Sequence, residues 1–247
     1  MAGHSKWANI KFRKERQDAK KGKVFTKLIK EITISARSGG GDPHTNPRLR
    51  TAIQAGKLAN MPMKNIENAI KKGTGELPGV VYEDIIYEGY GPGGVAIYIE
   101  CTTDNKNRTV SEIRHLLNKY GGNLGESGCV AWMFDKKGLI QVSRENYDEE
   151  ELLLLSIDAG AEDFEKDDDT FLIYSSVDDQ EMVYTKLNEA GINIKTSDIT
   201  FVPQTTVQVD GREAEQTLNL MEALEDNDDV KNVYANFDID EDIMEKI

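Results

Sequence analysis

The residues whose chemistry stands out are cations, and they gather at one end. Lys6, Lys11, Arg13, Lys14, Arg16, Lys20, Lys21, Lys23, Lys27 and Lys30 all fall within the first 30 of 247 residues, with Trp7 and Phe12 among them. Ammonium and guanidinium groups at this density neutralise phosphates and release counterions. Trp7 and Phe12 offer aromatic faces on which unpaired bases stack, or they tuck back onto the fold. The chemistry is polyanion binding. An ordinary solvated helix face is the bland alternative, set against a charge that is nearly one-signed in an acidic chain.

No pattern for catalysis or metal binding accompanies these cations. His4, His44 and His115 lack partners at metal-ligand spacing, and Cys101 and Cys129 form neither a disulfide framework nor a CxxC pair. Gly91-Pro92-Gly93-Gly94 lacks the Lys-Ser/Thr of a phosphate loop and runs into a strand, which predicts a tight hairpin. Residues 104–109 predict a helix cap, with Arg108 and Arg114 in structural ion pairs before anion contacts. The acidic runs 149–151, 167–169 and 226–229 have no EF-hand spacing and predict solvated turns and helix starts. The chain is therefore expected not to be an enzyme, with no cofactor, no metal and no small-molecule substrate.

Charge is segregated. Residues 1–75 hold 17 Lys and Arg against 5 Asp and Glu, while the remainder holds 13 against 39. The first third is attracted to phosphate and the rest is repelled by it. No apolar run is long enough to span a bilayer and no secretory signal opens the chain, so a cytoplasmic protein with reduced thiols and no membrane partner is expected.

Several elements must position the cations. At about 100° per residue, Phe25, Leu28, Ile29, Ile32 and Ala36 share one face of a helix, and Arg13, Arg16, Lys20, Lys23, Lys27 and Lys30 share the opposite one. Lys11, Lys14 and Lys21 fall off that stripe, so the packed helix begins near Gly22 or everything earlier leaves the domain as an arm. A helix from Arg13 to Lys30 would span roughly 26 Å at about 1.5 Å per residue. Asn46-Pro47 predicts the N-cap and first position of a second helix with Leu49, Ile53 and Gly56 on its face, Gly56 allowing close helix contact. Ile66, Ala69 and Ile70 predict the buried face of a third, and the pair suggests a helix-turn-helix with few base-reading side chains.

Beyond a linker at residues 74–79 the pattern mixes strands and helices. Strands are expected at 85–87, 95–101 and 130–134 around a helix with Val110, Ile113, Leu117 and Tyr120 on its face. Residues 135–202 read βαββαβ. Residues 205–237 read βαβ, with strands at 205–209 and 230–237, and would complete a second βαββαβ unit with 95–134. The expected fold is α+β and multidomain: a basic three-helix domain (1–78), a discontinuous ferredoxin-like middle domain (79–134 with 203–247), and an acidic ferredoxin-like domain (135–202) inserted in it. Three domains in sequence are the alternative, but a C-terminal half-unit buries too little surface to stand alone.

Residues 1–11 (MAGHSKWANIK), Gly40-Gly41-Asp42-Pro43 with Asn46-Pro47-Arg48-Leu49-Arg50, residues 87–94 (YEGYGPGG) and Asn107-Arg108-Thr109-Val110 resemble the YebC family. The likeness runs along essentially the whole chain and weakens at 145–200, where residues 158–163 stand out. It implies a three-domain, non-enzymatic, cytosolic protein. Bacterial members of the family are described as DNA-binding transcriptional regulators, and mitochondrial relatives are translational activators. The start at Met1 without an Arg/Ser-rich leader fits the bacterial form. Two expectations follow: a DNA-binding transcriptional regulator acting through the basic N-terminal domain, or a ribosome-associated RNA-binding translation factor using the same surface. The absence of a base-reading code leans toward RNA, and the family description toward DNA. An acidic adaptor for a protein partner is a third class.

Overall fold

The computed structural model describes residues 21–167 and 169–240. Within them the chain is mixed α/β, with seven α-helices and antiparallel sheets.

The first three helices are α1 (Lys21–Gly39), α2 (Pro47–Leu58) and α3 (Met63–Thr74). The apolar stripe predicted for α1 packs as expected. Ile32 and Ala36 are buried, with Phe25, Leu28 and Ile29 beside them, against Leu49, Ala52, Ile66 and Ala69. Asn46 starts α2: its Oδ1 accepts the Leu49 N–H at 3.1 Å, with Pro47 in the first turn. Its Nδ2 donates to the Ser35 and Gly40 carbonyls, each at 2.8 Å, so the same residue ties α2 to the end of α1. The tightest helix contact is at Gly73, not at Gly56. A Cβ on Gly73 would lie 2.4 Å from the Thr33 carbonyl oxygen and 2.7 Å from the Ala36 Cβ. At Gly56 it would meet only side-chain carbons, the nearest Ile66 Cδ1 at 3.4 Å.

Next come β1 (Glu83–Tyr90), β2 (Ala96–Thr103), α4 (Lys106–Lys119) and β3 (Asn123–Leu124). β1 and β2 form the predicted hairpin, in register from Glu83 opposite Thr103 to Tyr90 opposite Ala96. Gly93 (φ 66°) and Gly94 (φ 79°) supply the left-handed turn. The chain continues through β4 (Phe134–Ser143), α5 (Glu149–Ala159), β5 (Asp163–Lys166), β6 (Thr170–Ser175), α6 (Gln180–Glu189) and β7 (Ile194–Pro203). It ends in β8 (Val207–Gln208), α7 (Gly211–Glu225), β9 (Val230–Ala235) and β10 (Phe237–Asp238).

One antiparallel sheet has the order β5-β6-β4-β7 and takes its strands from one continuous stretch. The other has the order β3-β1-β2-β9 and draws on both sides of that stretch. Its core holds Ile97, Ile99, Ile113, Leu117, Leu218 and Met221, joining strand β2 to α4 and α7.

The second sheet departs from the expected βαββαβ unit. Residues Ala131–Met133 form a short 3-10 turn in place of a strand, and the strand that follows at Phe134 joins the other sheet. The strand expected at 205–209 is reduced to Val207–Gln208, paired in parallel with Phe237–Asp238 outside the four-stranded sheet. β1 lies between β2 and β3 instead. The hairpin explains this: a short turn delivers β1 to β2 at far lower loop-closure entropy than a segment a hundred residues on. The back of this sheet meets the other through aromatic rings, with Phe201 4.7 Å from Tyr98 and 5.1 Å from Tyr234 between ring centroids.

Gly73→Ala is expected to destabilise the chain by about 2 kcal/mol, because backbone and a rigid methyl face the new Cβ. Gly56→Ala should leave stability unchanged or slightly raised, since helix propensity favours Ala. Urea denaturation followed by circular dichroism compares them; equal effects would refute the assignment of the close contact to Gly73.

Candidate nucleic-acid interface

Lys6, Trp7, Lys11, Arg13, Lys14, Arg16 and Lys20, with Phe12, lie outside the described residues. Lys21 is the first residue of α1. Lys23, Lys27 and Lys30 follow at helical spacing and share one face, as expected. That face does not stand away from the body. It is turned onto the acidic turn between α7 and β9. Lys23 Nζ donates to the Asp226 carbonyl at 3.2 Å and lies 3.5 Å from its carboxylate. Lys27 Nζ donates to the Glu225 carbonyl at 2.5 Å.

Lys30 goes deepest. It is 7 % exposed, donates to Asp229 Oδ1 at 2.6 Å and the Asp228 carbonyl at 2.9 Å, and has the Tyr82 ring 5.7 Å away. Asp229 is buried as well. Its Oδ2 accepts from Arg108 Nη2 at 2.7 Å, Thr109 Oγ1 at 2.8 Å and Thr103 Oγ1 at 3.2 Å. Burial alone would raise its pKa, but hydrogen bonds from Lys30, Arg108 and Thr109 overcome that and hold it at about 2. Two expectations change here. The run at 226–229 is not merely a solvated turn, since Asp229 is a buried counter-ion. Lys30 is engaged in the fold and does not face solvent. The predicted cap and ion pair at 104–109 are found: Asn105 Oδ1 accepts the Arg108 N–H, and Arg108 pairs with Asp104 and Asp229.

A second network of reversed sign begins one residue later on α1. Glu31 accepts from Arg48 Nε at 2.7 Å and lies 3.0 Å from Lys231 Nζ. Arg48 also reaches Asp84 at 2.9 Å. Burial would raise the Glu31 pKa, and the Arg48 and Lys231 contacts bring it below the ordinary value.

Of the ten Lys and Arg at 22–75, these networks take Lys23, Lys27, Lys30 and Arg48. The other six, Arg37, Arg50, Lys57, Lys64, Lys71 and Lys72, are exposed. They lie outside the longest basic stripe, and their signal in the sequence is that each stands off the apolar face of its own helix. Among the described residues no cluster of His, Cys, Asp and Glu could hold a metal ion. None of their helices is long and apolar enough to cross a membrane.

Two family models match the chain, one for the TACO1/YebC N-terminal domain over residues 5–76 and one for the TACO1/YebC second and third domain over residues 82–237. The chain belongs to the TACO1/YebC family. A probable transcriptional regulatory protein of Natranaerobius thermophilus is 58 % identical, covering 99 % of both chains. One of the same description from Thermotoga maritima is 55 % identical over 100 % of this chain and 98 % of its own. The crystal structure of a conserved hypothetical protein from Aquifex aeolicus, 50 % identical, matches 91 % of this chain and 93 % of its own with a TM-score of 0.84. The chain thus matches these TACO1/YebC relatives over nearly their full lengths.

Asp229→Asn should destabilise this TACO1/YebC chain by about 3 kcal/mol, because Lys30 and Arg108 then lose their buried counter-charge. The sign of the acid dependence is fixed by the lowered pKa. Against an ordinary value of 3.8, a carboxylate held at about 2 stabilises in full above roughly pH 4 and loses that contribution as pH falls through 2. Urea midpoints measured from pH 6 to pH 2 should therefore fall less steeply in the Asn variant than in the parent. Parallel curves would show that Asp229 does not carry this charge.

Proposed function

We propose that the protein is a nucleic-acid-binding regulator of gene expression, acting as a DNA-binding transcriptional regulator through its basic N-terminal region. The observation that carries this is the segregation of charge: 17 Lys and Arg against 5 Asp and Glu in residues 1–75, ahead of a strongly acidic remainder. Such a molecule approaches a polyanion by one end. The names of its relatives, probable transcriptional regulatory proteins, support the same role.

A ribosome-associated, RNA-binding translation factor is the second proposal. One feature favours it: contacts made by lysines to phosphate position a protein without reading sequence. In either role we take the protein to be cytoplasmic and non-enzymatic, with Lys6, Trp7, Lys11, Arg13, Lys14, Arg16, Lys20 and Lys21 as contact residues. Lys23, Lys27 and Lys30 also belong to the proposed contact set, and their bonds to residues 226, 225 and 229 support a primary role in holding α1. We also take residues 135–202 as an inserted ferredoxin-like domain and 79–134 with 203–247 as its discontinuous host. The unbroken β5-β6-β4-β7 sheet and the split membership of the other support that division.

Sedimentation of extract on a sucrose gradient, with and without DNase, separates the two roles. Co-migration with ribosomal subunits that survives DNase counts against direct DNA regulation. Retention on promoter DNA at physiological salt with none on ribosomes sinks the translation role. In purified form, Lys11→Gln, Arg13→Gln, Lys14→Gln and Arg16→Gln together should make the log–log salt dependence of binding shallower by roughly 3. An unchanged slope would remove these four from the contact surface.

A further inference from the structure

The corner between α2 and α3 is held firmly, yet it shows large apolar side chains to solvent. Leu58 ends α2 and is 82 % exposed, and Met63 opens α3 and is 51 % exposed. Neither lies on the packed face of its own helix, which is Leu49, Ala52 and Gly56 on α2 and Ile66, Ala69 and Gly73 on α3. The turn between them is pinned. Met61 is buried in the helical core, and its N–H donates to the Gly56 carbonyl at 2.9 Å. Asn60 takes a left-handed conformation (φ 59°) and donates to the Lys57 carbonyl at 3.0 Å. The Asn65 N–H closes the other side on the Pro62 carbonyl at 2.8 Å. Leu58 and Met63 are presented on this frame, not left over by a frayed end.

Cations flank them. Arg50, Gln54 and Lys57 recur at helical spacing on α2, and Lys64, Asn68 and Lys71 do so on α3. Lys23, Lys30 and Arg48 are ion-paired with carboxylates, whereas Lys57, Lys64 and Lys71 have no such pair among the described residues. Glu67 is the one carboxylate the two helices carry.

We propose that the α2–α3 corner is a nucleic-acid contact site in which Lys57 and Lys64 hold phosphates while Leu58 and Met63 press on an unpaired or unstacked base step. It rests on the nucleic-acid role proposed above and adds a site and a preference to it. Phosphate tracking needs only cations. Apolar side chains set between them gain where base faces are open or can be wedged apart. A membrane surface also attracts lysine beside leucine. Here, however, Gln54, Asn60 and Asn65 are exposed on these helices and the turn between them, and amides find partners on sugars and base edges and none among acyl chains.

The test uses the full chain and an RNA hairpin with a single-stranded loop carrying 2-aminopurine, whose fluorescence rises on unstacking. The parent should bind and raise the fluorescence. The double variant Leu58→Ser, Met63→Ser should bind about tenfold more weakly and lose the rise, with its salt slope unchanged. The double variant Lys57→Gln, Lys64→Gln should make the slope shallower by roughly 1.4. All four positions are exposed, so thermal melting of both variants should match the parent. Parental binding with the Ser variant equal to it in affinity and fluorescence overturns the site, as does a Ser variant that loses only its binding to anionic vesicles. A parent that binds neither this RNA nor duplex DNA overturns the functional proposal, and the site with it.

Discussion

One buried carboxylate ties the N-terminal helix to the sheet at its deepest contact. The two oxygens of Asp229 accept from Lys30 of α1, Thr103 at the end of β2, and Arg108 and Thr109 of α4. Asp229 itself stands one residue before β9, and its carbonyl accepts the Thr102 N–H at 2.8 Å. Three elements thus converge on one buried anion set just before a fourth. Removing such an ion from water costs several kcal/mol, and only a nearly complete set of donors offsets it. The arrangement is therefore a matter of geometry as much as of attraction. Lys30 and Glu31 are adjacent on α1 and grip networks of opposite sign. A one-residue shift of α1 would bring Glu31 toward Asp229, setting like charges together. The pair fixes both where the helix docks and its register.

What could be read from the sequence is what local chemistry decides. The apolar stripe of α1, the Asn46 cap, the helix cap within 104–109, and the glycine turn between β1 and β2 all depend on residues within about one helical turn or one hairpin. Each is found where it was expected. The docking of Lys30 on Asp229 joins positions 199 residues apart, and nothing in either neighbourhood names the other. The acidic run looked like a solvated turn because aspartates near a helix end usually are. The membership of the second sheet failed for a related reason. Hydrophobic periodicity identifies strands but does not say which of several will occupy a slot, and β1 reached the place beside β2 through its short hairpin.

The candidate interface was legible as composition and less so as geometry. A lysine stripe opposite an apolar stripe suggested a helix packed by one face and free on the other. In the structure α1 is engaged by both, its hydrophobic side on α2 and α3 and its lysines on the turn at residues 225–229. An acidic body does more than repel phosphate: its nearest carboxylates and carbonyls are competing ligands for the same cations. Hydrogen-bonded pairs a few ångströms apart dominate over more distant charges, which are screened within about 8 Å at physiological salt.

The same competition explains where free cations remain. The turn at 225–229 takes up lysines of α1, and among the described residues Lys57, Lys64, Lys71 and Lys72 of α2 and α3 stay exposed. Exposed lysines keep their hydration and conformational freedom, and such groups are cheap to commit to phosphate because no internal partner must first be given up. Lys30 is the opposite case: releasing it would leave Asp229 short of a donor inside the fold. The proposed division of labour among the N-terminal cations follows from that difference in cost, with the lysines that have internal partners ordering α1 and the exposed lysines of α2 and α3 available to an external anion.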